Sequence, residues 1–127
     1  MRQIKFRGRR IDNGEWIYGD LIHEPWGTMI QSELQLKFTV DSATVGEWTG
    51  LVDKNGVTEI YEGDICRNES GEVGQIVFVN GAFVSMFLPP YDWDPMAPCD
   101  GGLAHQEVIG NAHDTPHLLE DDNGRVG

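Results

Sequence analysis

Three histidines and a carboxylate gather near the C-terminal end of the chain: His105, His113 and His117, with Asp114. Imidazole and carboxylate are donor types that hold zinc, and His113 and His117 would share one face if that stretch were helical. Pro116 stands between them and disfavours the helix. A catalytic metal would also need outer hydrogen-bond partners and a cleft, which the spacing does not supply. Cys99 near His105 offers a thiol and a base, but such pairs assemble in space, and the surrounding loop provides no group to orient the base. Phosphate-cradling and nucleophile-elbow patterns are absent from the sequence. The expectation is therefore a noncatalytic chain with no cofactor and no metal.

Charge is more informative than these motifs. The 127 residues carry 21 acidic and nine basic side chains, a net of −12, which disfavours nonspecific binding to nucleic-acid phosphates. Arg2, Lys5, Arg7, Arg9 and Arg10 place five of the nine cations in the first ten residues, and the other 117 residues hold four cations against 21 acids. Arg7, Arg9 and Arg10 are thus candidates for docking on an acidic surface. As a strand, the segment would turn Ile4, Phe6 and Gly8 toward a core and leave Lys5, Arg7 and Arg9 on the opposite face of an edge strand, where positive charge discourages edge pairing. The second candidate surface is Tyr91-Asp92-Trp93-Asp94, in which Tyr91 and Trp93 would anchor a partner while the carboxylates steer a basic one.

The elements that must position these groups read as short strands. The length suits one domain. No 18-residue apolar run occurs, and the opening Met-Arg-Gln-Ile-Lys lacks the apolar stretch of a secretory signal, so a cytoplasmic chain with no membrane contact is expected. Cys66 and Cys99 read as reduced thiols. Arg2 to Ile11 and Glu15 to Ile22 predict a hairpin around Asp12-Asn13-Gly14. Trp16 and Tyr18 share one face of its second strand, over the core of the N-terminal half or else along a ligand groove. Pro25-Trp26-Gly27 break the pattern, and Thr28 to Val40 resumes as strand.

Asp41 to Val45 supports one helical turn, and Asp53-Lys54-Asn55-Gly56 a reversal. Glu59 to Leu88 predicts two or three strands punctuated at Gly63-Asp64, Ser70-Gly71 and Asn80-Gly81. The last is a hairpin signal because both residues tolerate positive φ. Four prolines between Pro89 and Pro98 predict a long irregular loop to about Gly102. Gln106 to Ile109 is a short strand, Asp114-Thr115-Pro116 opens a final turn through Leu119, and 120–127 is an acidic tail expected to be disordered. Roughly eight short strands, with turn signals about every ten residues, give an all-β roll or barrel.

Four separated motifs in this order resemble the phage and prophage YopX family. They are Ile4-Lys5-Phe6-Arg7-Gly8 with Gly14-Glu15-Trp16-Ile17-Tyr18-Gly19-Asp20; Val45-Gly46-Glu47-Trp48-Thr49-Gly50-Leu51 with Asp53-Lys54-Asn55-Gly56; Glu59-Ile60-Tyr61-Glu62-Gly63-Asp64-Ile65; and Glu107-Val108-Ile109-Gly110-Asn111. The resemblance implies a small Src-homology-3-like barrel at about 59–111, preceded by an N-terminal β part at about 1–58, in one domain spanning 1–119. It implies no catalytic residues. Ala112 to His117 departs from the family's closing pattern, which more often has an apolar or aromatic residue and a carboxylate. Gly46, Gly50, Gly63 and Gly110 fall where a tightly curved β fold needs bends, and Trp16, Trp48 and Tyr61 are of a size to fill its core.

The functional expectation is a phage or prophage accessory protein that acts by binding other proteins, as a homo-oligomer or with a host or phage partner. The alternative is association with nucleic acid through the basic strand, or imitation of nucleic acid by the acidic face toward a host DNA-binding protein.

Overall fold

The computed structural model describes residues 3–69, 71–87 and 105–119. The expected irregular loop, with Tyr91, Trp93 and Cys99, and the expected tail both lie outside them. The described residues form ten strands: β1 (Phe6–Arg9), β2 (Trp16–Glu24), β3 (Gly27–Gln31), β4 (Lys37–Thr39), β5 (Gly46–Val52), β6 (Glu59–Tyr61), β7 (Asp64–Arg67), β8 (Val73–Val79), β9 (Ala82–Phe87) and β10 (Glu107–Asn111). Among the described residues, Ser42–Thr44 and Pro116–Leu119 form short 3₁₀ turns. The all-β class with short helical turns is as expected.

The chain divides into two compact units, 1–50 and 51–127. In the first, the strand order is β4-β3-β2-β1-β5. The predicted hairpin is present, with Phe6 opposite Gly19 and Arg9 opposite Trp16, and a second one pairs β2 with β3 from Asp20–Gln31 to Glu24–Gly27. Asp41 caps the Ser42–Thr44 turn by accepting from the Ala43 N–H at 3.0 Å. An isolated bridge joins Arg10 to Val40. With the bonds from Ile11 N to the Thr39 carbonyl (3.1 Å) and Asp41 N to the Arg9 carbonyl (2.9 Å), it draws the end of β1 against the end of β4, so the sheet curls back on itself there. Ile30 and Val40 are buried inside the curl. A side chain at Gly8 would begin 3.0 Å from Val40 and 3.3 Å from Ile30, so the curl packs closely against that backbone position.

The second unit is a four-stranded antiparallel sheet in the order β10-β7-β8-β9, and its β6 runs beside the end of β5. The closed barrel expected at 59–111 is instead an open sheet, with β10 and β9 as its edges among the described residues. Val108, Cys66, Ile76 and Phe83 come from four different strands and meet on one face with Ile60 and Leu51. β7 is buried on both faces, since Ile65 and Cys66 are each fully covered. Asn80 and Gly81 form the predicted two-residue turn between β8 and β9, at φ 53° and 81°, with Val79 opposite Ala82.

Pairing of β10 with β7 shifts register between Val108 and Gly110, a bulge that lets the chain bend into the Pro116–Leu119 turn. There a side chain on Gly110 would collide with Thr115 Oγ1 and come within 2.9 Å of Leu118 Cδ1. Gly110→Ala should therefore lower unfolding free energy by about 1–3 kcal/mol, the usual range for overpacking. Urea denaturation reads this directly, and a loss below about 0.5 kcal/mol would mean that the turn relaxes around the methyl group.

Candidate protein-interaction surface

The N-terminal cations do not line an edge. β1 pairs with β2 on one side and with β5 on the other, through Phe6–Glu47 and Arg7–Gly46, so it is an interior strand of its sheet. The residues that make it so lie about 40 positions downstream, and the local alternation cannot report them. Arg7 is 6% exposed, with its guanidinium 4.7 Å from the Trp16 ring centre. Lys5 Nζ lies 4.7 Å over Trp48, and the Arg10 guanidinium 4.1 Å over Phe38. Each pairing has the geometry in which a cation is drawn to the negative face of a ring. Arg9 and Arg10 are half-buried. Ile4, expected to face a core, is 62% exposed. Of the candidate interaction residues, Arg7 is thus an internal packing group, Arg9 and Arg10 border a cleft near the curl, and Tyr91 and Trp93 lie outside the described residues.

Carboxylates in the recognisable motifs are built into the backbone. Asp64 is buried, and its Oδ2 accepts from the Tyr61 N–H at 2.7 Å. Asp53, also buried, accepts from the N–H groups of Asn55 (3.1 Å) and Val108 (3.4 Å). Asn111 Oδ1 accepts from His113 N and Asp114 N, and its amide donates to Asp114 Oδ2 at 3.0 Å. His113 therefore sits in a side-chain-capped turn ahead of the Pro116–Leu119 helix, so no single helix aligns it with His117. Among the described residues no group of three or more His, Cys, Asp or Glu comes together to hold a metal ion.

A different surface emerges in the first unit. The β3–β4 connection is closed by bonds from Ser32 N to the Leu36 carbonyl and from Gln35 N to the Ser32 carbonyl, both 2.9 Å, with Gln35 held at φ 67°. That conformation is uncommon for a residue with a side chain. It presents Leu34 at 80% exposure and Leu36 at 53%. They stand beside Ile4 and Tyr18 (45% exposed) around a groove of about 540 Å³. In its wall the Ser32 hydroxyl is buried and makes no hydrogen bond among the described residues. Tyr18 thus takes the groove-lining place that its period-two spacing with Trp16 left open, whereas Trp16 packs under Arg7. Sequence reading missed Leu34 and Leu36, because an apolar residue within a β-like stretch looks like core.

Residues 5–120 match the family described as YopX protein. The chain belongs to the YopX family. No curated protein matches it. Among the described residues, no helix is long and apolar enough to cross a membrane.

Removing the Asp64 carboxylate should strand the buried Tyr61 N–H. Asp64→Ala is expected to lose about 1–3 kcal/mol of stability, measured by urea denaturation, with Asp64→Asn losing less because its amide oxygen still accepts. Acid stability has its own marker. The Glu107 carboxyl is held below its ordinary range, first by the Arg67 hydrogen bond at 2.9 Å and then by Asn55. Asp12 is lowered chiefly by its hydrogen bond from Arg10. A lowered folded-state pKa contributes stability above the ordinary carboxylate range, and that contribution is lost as pH falls through the lowered value. Glu107→Gln should lower the thermal midpoint slightly near neutrality and match the parent at low pH, which flattens the fall below about pH 4; an unchanged acid slope would rule the contact out as a source.

Proposed function

We propose that this YopX-family chain is a noncatalytic phage or prophage accessory protein of the host cytoplasm, acting as a protein-interaction module through the groove beside Leu34 and Leu36. The observation that carries the reading is the cluster of four apolar side chains, 45–80% exposed, around one concavity. Contiguous exposed apolar surface marks interaction sites in soluble proteins, whereas single exposed leucines do not. The occupant is a second copy of the chain or a host or phage protein. A noncatalytic role is supported by Asp53 and Asp64, whose oxygens accept backbone N–H groups.

Association through nucleic acid has less support. Lys5, Arg7 and Arg10 are stacked on the chain's own rings, and the net charge opposes phosphates.

Light scattering on the purified chain across a concentration series, and photo-crosslinking in host cells from a residue placed at position 34, test the module. The expected result is a mass at least twice the 14.2 kDa monomer or a position-34 adduct with another protein. Leu34→Asp with Leu36→Asp should abolish the association, and Leu36→Asp alone should abolish the adduct, each leaving the thermal midpoint within a few degrees because both side chains are already exposed. A monomer at every concentration with no adduct would overturn the reading. Reversing Arg7 to Glu is not an equivalent test, because it buries a carboxylate against Trp16 and measures folding.

A further inference from the structure

The first unit has a second concavity, where the curl closes between the end of β1, the β2–β3 turn and the end of β4. It encloses about 490 Å³, and its wall includes Arg9, Arg10, Trp26, Thr28, Thr39 and Ser42. Trp26 is 72% exposed, although tryptophan is highly buried on average, and an indole face at the rim of a cleft is a stacking platform for another flat ring. The Arg9 backbone N–H donates to Thr44 Oγ1 at 2.9 Å, and its side-chain Nε donates to the Gly14 carbonyl at 3.3 Å. Arg10 is fixed from two sides, over Phe38 and by Nε and Nη2 bonds of 3.0 and 2.6 Å to the Asp12 carboxylate.

A guanidinium fork matches phosphate oxygens in geometry as well as charge. The three hydroxyls both donate and accept, as the hydroxyls of a sugar require. Asp41 also borders the cleft, but its Oδ1 accepts from Ala43 N at 3.0 Å and caps the 3₁₀ turn. The volume lies in the range of small-molecule sites.

We propose that this cleft binds a single nucleotide unit, with the base stacked on Trp26, the sugar against the threonine and serine hydroxyls, and the phosphate on Arg9, while Arg10, paired with Asp12, forms a fixed wall beside it. The unit comes from a free mononucleotide or from one nucleotide of a single strand. The net charge of −12 opposes a long polyanion, so the free mononucleotide is the expected source. The site is independent of the groove beside Leu34.

The test is calorimetric titration of the full chain at fixed salt with adenosine, adenosine 5′-monophosphate, the guanosine, cytidine and uridine monophosphates, and a hexadeoxyadenylate strand. Saturable binding of a monophosphate is expected, with adenosine at least tenfold weaker than its monophosphate. Trp26→Ala and Arg9→Gln should each weaken the monophosphate about tenfold, roughly 1.4 kcal/mol. Trp26→Phe should retain most of the affinity, and its circular-dichroism spectrum should match the parent. Tighter binding of the hexamer, fading steeply with salt, would support the same site with a single strand as the source. The proposal is overturned if no monophosphate saturates at up to about 10 mM, where a 1 mM site would be largely filled. It is equally overturned if adenosine binds as well as its monophosphate, or if Trp26→Ala and Arg9→Gln, each still folded, leave the affinity unchanged.

Discussion

The first unit depends on what six consecutive residues near its N-terminus touch. Lys5 lies over Trp48 of β5, Arg7 over Trp16 of β2, and Arg10 over Phe38 of β4. One short segment thereby ties three strands together, each through a cation on a ring. Such contacts are worth about 0.5–1 kcal/mol at exposed sites and about 2 kcal/mol or more when desolvated, so the buried Arg7–Trp16 pair is the strongest of the three on burial alone. The buried aliphatic core of this unit is small, chiefly Ile30 and Val40. Stacked cations therefore supply packing that aliphatic residues supply elsewhere, with the arginine and lysine stems covering apolar surface as well.

The second unit solves the same problem differently. Its core is aliphatic and aromatic, and its polar interior consists of side chains that terminate backbone donors: Asp64 for Tyr61, Asp53 for Asn55 and Val108. Ser85 and Gln106 bond to each other at 3.1 Å in a buried position. Buried carboxylates that accept N–H groups hold a turn in one geometry, and Asp64 is difficult to replace because the Tyr61 N–H it serves is itself buried. Asp53 and Asp64 of the family motifs are thus accounted for by the turns they close.

This contrast sets what could be read in advance. Hairpins at Asn13-Gly14 and Asn80-Gly81, the cap at Asp41 and the reversal at Asp53 were legible because turn chemistry is local: one or two residues decide the backbone conformation. The interior position of β1 was not, because it depends on β5, which joins it from about 40 residues away. Nor was the open sheet, since short alternating strands are equally compatible with closure. The groove was hidden for another reason. Leu34 and Leu36 are exposed by Gln35 at positive φ, a conformation that sequence predicts for glycine or asparagine and rarely for glutamine. Trp26 was legible only as a break in pattern after Pro25, and its exposure follows from the tight β2–β3 turn on which it sits.

Charge separates the two units as sharply as packing does. Residues 1–50 carry six cations and seven acids, whereas 51–127 carry three cations and 14 acids. The concavities at Leu34 and Trp26 both belong to the nearly balanced unit. A surface of low net charge can meet another protein, or an anion, without the repulsion that a strongly acidic surface would impose. Salt at physiological strength screens charges beyond about 8 Å, so the groups local to each concavity decide the contact. The four recognisable motifs do not include 32–36 or Trp26, so the residues that identify the family mainly build its strands and turns. The proposed recognition surfaces fall instead on the β3–β4 loop and the β2–β3 turn, where Leu34 and Trp26 stand exposed and the bonds that close the loop run between backbone groups.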